Sequence, residues 1–156
     1  MPEKKKSIGK KVFSIAMIPA LTIASGFFLG WASQSRMNES FDGIRLSPCG
    51  SAPNCVCSQD EKASKVQPLS FTGSKEDAVK AIENAMASIG RSKFLKRDDR
   101  YLHYECKSAL FGFIDDVEFL IEDRNGIIHV RSASRVGYSD FGANRRRIEK
   151  IRAAMK

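Results

Sequence analysis

Apolar positions along the chain follow three regimes. Val12 to Ala32 is an uncharged run of 21 residues, VFSIAMIPALTIASGFFLGWA. Ser33 to Ser58 is polar, turn-rich and without a period. From Val66 onward, apolar residues recur at the two spacings that mark packed helices and strands.

Val66 to Phe71 reads as a short strand. Ser74 then opens a helix, because Ser74-x-x-Asp77 matches a capping box. Val79, Ile82, Ala85, Met86 and Ile89 fall on one helical face, and Gly90 suits the stop, so the pattern predicts a helix over 75–89. Lys93–Arg97 and Tyr101–Cys106 flank the polar turn Asp98-Asp99, which predicts a hairpin. Val117–Glu122 and Ile127–Ser134 flank Asp123-Arg124-Asn125-Gly126, and Asn-Gly is a strong hairpin signal. Phe141, Ile148, Ile151 and Met155 share one face of a last helix, with Asp140 or Asn144 as N-cap.

The order β-α-β-β-β-β-α predicts an α+β domain: an antiparallel sheet of about four to five strands, two helices covering one face. Period two assigns the faces. Leu102, Tyr104, Cys106, Val117, Phe119, Ile121, Ile128 and Val130 should face the helices. His103, Glu105, Glu118, His129 and Arg131 fall on the other side. That side is expected to be a solvated face with cross-strand ion pairs, as antiparallel sheets often have.

As a helix, residues 12–32 would be roughly 30 Å long, about one hydrocarbon core. Pro19 is tolerable in a spanning helix. Lys4, Lys5, Lys6, Lys10 and Lys11 precede the run. The positive-inside rule then keeps the N-terminus cytoplasmic and sends the rest across a membrane. Trp31 sits where an interfacial aromatic belongs. Gly30-Trp31-Ala32 has the small-residue spacing of a signal-peptidase site, so secretion after cleavage before Ser33 is the alternative. Gly26 and Gly30 form a GxxxG pair, a weak signal for a helix-dimer face. The organisation read from these features is a basic cytoplasmic tail (1–11), an anchor or signal segment (12–32), a linker (33–47) and a globular domain (48–156). The expected location is a single-pass inner-membrane protein with its domain on the periplasmic side.

The net charge of +8 is uneven. Five lysines against Glu3 give the tail +4, and eight basic against two acidic residues give Arg131–Lys156 +6. The stretch from Ser33 to Val130, with 13 basic and 15 acidic residues, is −2. Two local clusters thus set the pI near 9.5, which weakens a nucleic-acid reading of the whole chain.

Pro48 to Ser58 (PCGSAPNCVCS) has loop composition, expected to be neither helix nor strand. Cys49 and Cys55 suit a short disulfide loop outside the cytoplasm. Cys49 with Cys57 is a competing pairing, and Cys57 and Cys106 are either a second bridge or buried thiols. A zinc site from the four cysteines with His103 and His129 competes, but paired C-x-x-C spacing is absent. No metal and no cofactor are expected.

No P-loop, dinucleotide fingerprint, H-E-x-x-H or G-x-S-x-G elbow occurs. Asp115-Asp116 cannot pair as two catalytic carboxylates if extended, since neighbours point to opposite faces, and turn-like polar groups at a strand start are expected instead. The most distinctive stretch runs from Arg131 to Arg145. Its arginines and helix start suit an anion or a partner loop. The candidate binding residues are Arg131, Ser132, Ser134, Arg135, Asp140, Asn144 and Arg145, with Asp116 and Glu118 nearby; capping and local ion pairing is the plainer reading. Arg145-Arg146-Arg147 could touch anionic lipid, whereas nucleic acid is not expected across a membrane.

Three motifs in order carry a family resemblance: Cys49-x-x-x-Pro53-Asn54-Cys55-Val56, Asp115-Asp116-Val117-Glu118-Phe119, and Arg131-Ser132-Ala133-Ser134-Arg135-x-Gly137-x-x-Asp140-x-Gly142-x-Asn144-Arg145. Over roughly Leu46 to Met155 the chain resembles the domain of unknown function 1499 family. It departs at Cys57, where the family favours serine. The resemblance implies a membrane-associated or exported bacterial protein and carries over no catalytic residue. The expected function is a non-catalytic, membrane-tethered binding or assembly module of the cell envelope. The alternative is a hydrolase-like envelope enzyme using Asp116, Glu118 or Asp140 with a hydroxyl or His129.

Overall fold

The computed structural model describes residues 24–33 and 41–156. The first twelve residues of the apolar run, 12–23, and part of the linker, 34–40, lie outside the described residues. Residues 24–33 are helical (α1), and no helix among the described residues is long and apolar enough to cross a membrane.

The remaining elements are β1 (Cys55–Cys57), β2 (Leu69–Ser70), α2 (Lys75–Ile89), β3 (Ser92–Asp98), β4 (Tyr101–Lys107), β5 (Ile114–Glu122), β6 (Ile127–Ser134) and α3 (Ala143–Ala154). All described strand pairings are antiparallel, in the order β1-β6-β5-β4-β3, with β2 on the same outer edge of β6 as β1.

The helix over 75–89 forms as expected. Ser74 Oγ accepts from Asp77 N–H, and Asp77 Oδ2 accepts from Ser74 N–H at 3.0 Å, so two orphan donors of the first turn are satisfied. Ala78, Val79, Ile82, Ala85 and Met86 are buried against the sheet with Ile148 and Ile151 of α3. All eight strand residues assigned to the helix side lie in this core.

Several elements differ from expectation. Cys55–Cys57, expected as loop, is a strand, because its backbone pairs with Arg131–Ala133. The 66–71 strand shrinks to two residues, since Gln67 and Pro68 turn their carbonyls to Arg152 instead of to β6. β5 begins at Ile114, so Asp115 and Asp116 are buried ladder residues and not turn groups. The 123–126 connection is a 3₁₀ turn, Asp123–Asn125, closed by Gly126 at φ +62, where a side chain would be strained. In α3 the N-cap is Gly142; Asp140 instead accepts from Gly142 N–H and Asn144 N–H. Phe141 is 87% exposed and packs on nothing in the core.

The largest correction concerns the second sheet face. It is not solvated: of its central positions, Tyr101, His103, Asp116, Glu118, Leu120, Arg131 and Ala133 are all buried. Residues 41–49, mostly assigned to the linker, lie over part of it. Phe41 stacks on Tyr101 with ring centroids 4.4 Å apart, and Leu46 and Cys49 join Tyr101, Leu120 and Ala133 in a second apolar cluster. Cys49 and Cys55 are bridged, which fastens this strap to β1. Cys57 and Cys106 are free thiols on opposite sides of the sheet, so neither can bridge the other.

Gly26 and Gly30 face the domain's own 107–113 turn. A Cβ on Gly26 would come 2.8 Å from the Phe111 ring, and one on Gly30 1.8 Å from the Phe111 carbonyl. Ser33 Oγ accepts from Ile114 N–H at 3.0 Å and locks the end of α1 to β5.

Candidate functional site

The Arg131–Arg145 corner is the natural place to look for chemistry, and β6 divides it. Successive strand side chains alternate faces. Arg131 and Arg135 therefore go to the strap side, and Ser132 and Ser134 to the helix side.

On the strap side, β4, β5, β6 and Arg135 just after it bring seven polar side chains into two adjoining groups. Arg131 Nη1 donates to Glu118 Oε2 at 2.8 Å, and Tyr101 OH donates to Glu118 Oε1 at 2.6 Å. Arg135 clamps Asp116 with two bonds, Nε to Oδ2 at 2.8 Å and Nη2 to Oδ1 at 2.7 Å. The same Nη2 lies 2.7 Å from Glu105. His103 Nε2 is 2.8 Å from Asp116 Oδ1. Burial by itself would raise the Asp116 carboxyl, but hydrogen bonds and charge from Arg135 and His103 outweigh it and hold Asp116 below the ordinary carboxylate range. Glu118 and Asp116 have no solvent exposure, and His103 has 2%. Two buried guanidinium nitrogens, Arg131 Nε and Arg135 Nη1, have no hydrogen-bond partner among the described residues.

On the helix side, Asn144 of α3 is the hub. It is completely buried, and both ends of its amide are used. Oδ1 accepts from Ser132 Oγ at 2.6 Å and from Arg147 Nη1. Nδ2 donates to the Asn54 carbonyl at 2.9 Å and to Ser134 Oγ at 3.1 Å. Arg147 also pairs with Asp115. Asn54 Nδ2 donates to the Gly137 carbonyl at 2.6 Å. The Pro53-Asn54-Cys55 turn, β6 and α3 are thus tied together by amide side chains.

Asp140 and Arg145 stand at the rim. Asp140 accepts from the Gly142 and Asn144 N–H groups, and Arg145 donates to the Lys65 and Ala63 carbonyls at 3.0 and 2.8 Å. A depression of about 380 Å³ opens here between the 50–53 turn, Lys62 and Arg145. Its charged groups include Asp140, whose carboxylate opposes an anion there.

The nine candidate residues therefore do not converge. Asp116, Glu118, Arg131 and Arg135 lie on one side of the sheet, Ser132, Ser134 and Asn144 on the other, and Asp140 and Arg145 at the edge. His129, once set beside the other face residues, pairs outward with Glu122 at 3.0 Å. Sequence reasoning did not find Arg147 or the His103–Asp116 contact. Helical spacing from Asn144 to Arg147 and the β4–β5 register carry those signals, but only once both elements are docked. Among the described residues no group of three His, Cys, Asp or Glu side chains could hold a metal ion.

Fold and site define a small α+β domain whose charged motif residues pair internally, across the sheet and between the sheet and α3. The chain belongs to the family described as protein of unknown function (DUF1499), whose model matches residues 45–155. No curated protein matches it.

Proposed function

We propose that this protein is a membrane-tethered, non-catalytic binding or assembly module of the cell envelope, held by residues 12–32 with its domain on the outer side. The observation that carries the reading is the closure of the motif side chains. Asp116, Glu118, Arg131 and Arg135 pair with one another inside the domain. The hydrolase alternative names Asp116, Glu118 or Asp140: the first two have no solvent exposure, and both Asp140 carboxylate oxygens accept backbone N–H groups at the start of α3. The Cys49–Cys55 bridge supports an oxidising compartment, and the five tail lysines support an inward N-terminus.

The test is topology in cells. A C-terminal alkaline phosphatase fusion of the full chain should be active, the protein should resist carbonate extraction, and its intact mass should include residues 1–32. A fluorescent C-terminal GFP fusion with an inactive phosphatase fusion would overturn the outward orientation. A mature mass beginning at Ser33 would replace the tether with secretion.

A further inference from the structure

The cationic groups left free by the internal pairing gather at the opposite end of the corner. A cleft of about 470 Å³ lies where the end of α2, the end of β4 and the first turns of α3 meet. Arg91, Lys107, Arg146 and Lys150 line it, and no acidic residue does. All four are exposed, and none makes an ion pair among the described residues. Arg147, the fifth cation at its wall, is neutralised by Asp115. Four uncompensated charges in one concave site raise the local concentration of anions.

What adjoins the cleft specifies the anion. Lys107 and Ala109 also line a second depression, whose other walls are Phe27 and Trp31 of α1 and the turn Ser108–Gly112. The turn Ala109-Leu110-Phe111-Gly112-Phe113 is apolar, with Leu110 70% exposed, and Phe111 meets Phe27 edge to face at 5.5 Å. Phe27, Phe28, Leu29 and Trp31 of α1 are exposed as well, Trp31 at 69%. These side chains form an exposed apolar surface at the end of the 12–32 run. Aromatics of this kind sit at headgroup level, with cations just outside it.

We propose that the Arg91–Lys107–Arg146–Lys150 cleft holds the phosphate headgroup of an anionic phospholipid in the same membrane that α1 enters, while the 109–113 turn dips into the interface. This inference rests on the tether proposed above. It makes α1 and the cleft one surface, so the domain sits in a fixed orientation on the bilayer.

Hydrogen exchange of the full chain in nanodiscs tests it. Discs of zwitterionic phosphatidylcholine are compared with discs containing phosphatidylglycerol. Amides of 106–110 and 143–150 should exchange at least about tenfold more slowly in the anionic discs, given roughly 1 kcal/mol per cation near an anionic surface. The difference should vanish in K107E/R146E/K150E and persist in the remote control K62E/K80E. Native-like protection of α2 reports that the variant is folded; should it not be, K107Q/K150Q replaces it, with a smaller loss expected. Equal exchange in both lipids would overturn the proposal. So would inorganic phosphate reproducing the protection in zwitterionic discs, which would make the ligand a soluble anion. Incorporation into discs reports the tether and the lipid difference reports the cleft, so the two readings fail separately.

Discussion

At Asp116 three hydrogen bonds from two side chains converge on two carboxylate oxygens, and the balance of burial against pairing decides the residue's role. The arginine clamp and the histidine contact hold it ionised in a place without solvent. Removing one member of a buried pair strands the other, so Asp116→Ala should cost about 3–5 kcal/mol in urea denaturation. The pH dependence has a definite sign. A carboxyl held below its ordinary value contributes stability that is fully present above the unfolded value near ~3.9 and is lost as pH falls through the folded value. The stability gap between wild type and Asp116→Asn should therefore narrow as pH drops below about 4. A gap independent of pH down to the acid limit would contradict the pairing. The two free thiols obey the same burial rule without an ionic clamp to outweigh it. Burial pushes Cys106 up to about 11 and raises Cys57 too, so both should resist alkylation in the native state at pH 8.

At the scale of elements, α2 shows how far local signals reach. Its cap, apolar face and glycine stop all lie within seventeen residues, Ser74 to Gly90, and the cap is satisfied within the first turn. Ser74→Ala removes one cap acceptor and should lower stability by about 1 kcal/mol with no change in fold, read by thermal or chemical denaturation. β5 was legible in parity but not in extent. Its alternation correctly sends Val117, Phe119 and Ile121 to the helices, and sends Asp115 and Asp116 to opposite sides. It starts three residues earlier than the apolar pattern suggests because Arg147 and Arg135 neutralise the two aspartates, which lets charged residues enter a buried strand. β1 was not legible, since its turn-rich flanks mask a strand that exists only by pairing with β6. The same alternation splits Arg131-Ser132-Ala133-Ser134-Arg135 between two faces, which an extended reading of those five residues already contains.

At the scale of the whole molecule, the strap turns an otherwise charged sheet face into an interior. Phe41 and Leu46 supply apolar cover, Gln59 Oε1 accepts from Leu46 N–H at 2.8 Å, and Asp60 accepts from Cys49 N–H at 3.2 Å. The Cys49–Cys55 bridge fixes that cover to the sheet edge. Closing so short a loop contributes about 2 kcal/mol in the chain-entropy model. Cys49→Ser/Cys55→Ser should lose about that much, and in urea below the unfolding midpoint Cys57, under the strap, should be alkylated before Cys106, under the helices. Equal labelling rates would mean the strap does not open first. The sequence by itself determined α2, the antiparallel order of β3 to β6, the helix-side face of β4, β5 and β6 and the loop that carries the disulfide. Those features depend on caps, turn residues and side-chain period, all set within a few positions along the chain. Only the tertiary structure decided that the second face is dry, that Arg131 and Arg135 are matched to Glu118 and Asp116, and that Arg91, Lys107, Arg146 and Lys150 share one cleft. Burial and charge pairing are set by segments far apart in sequence, and a polar strand face has the same pattern whether water or another part of the chain lies over it.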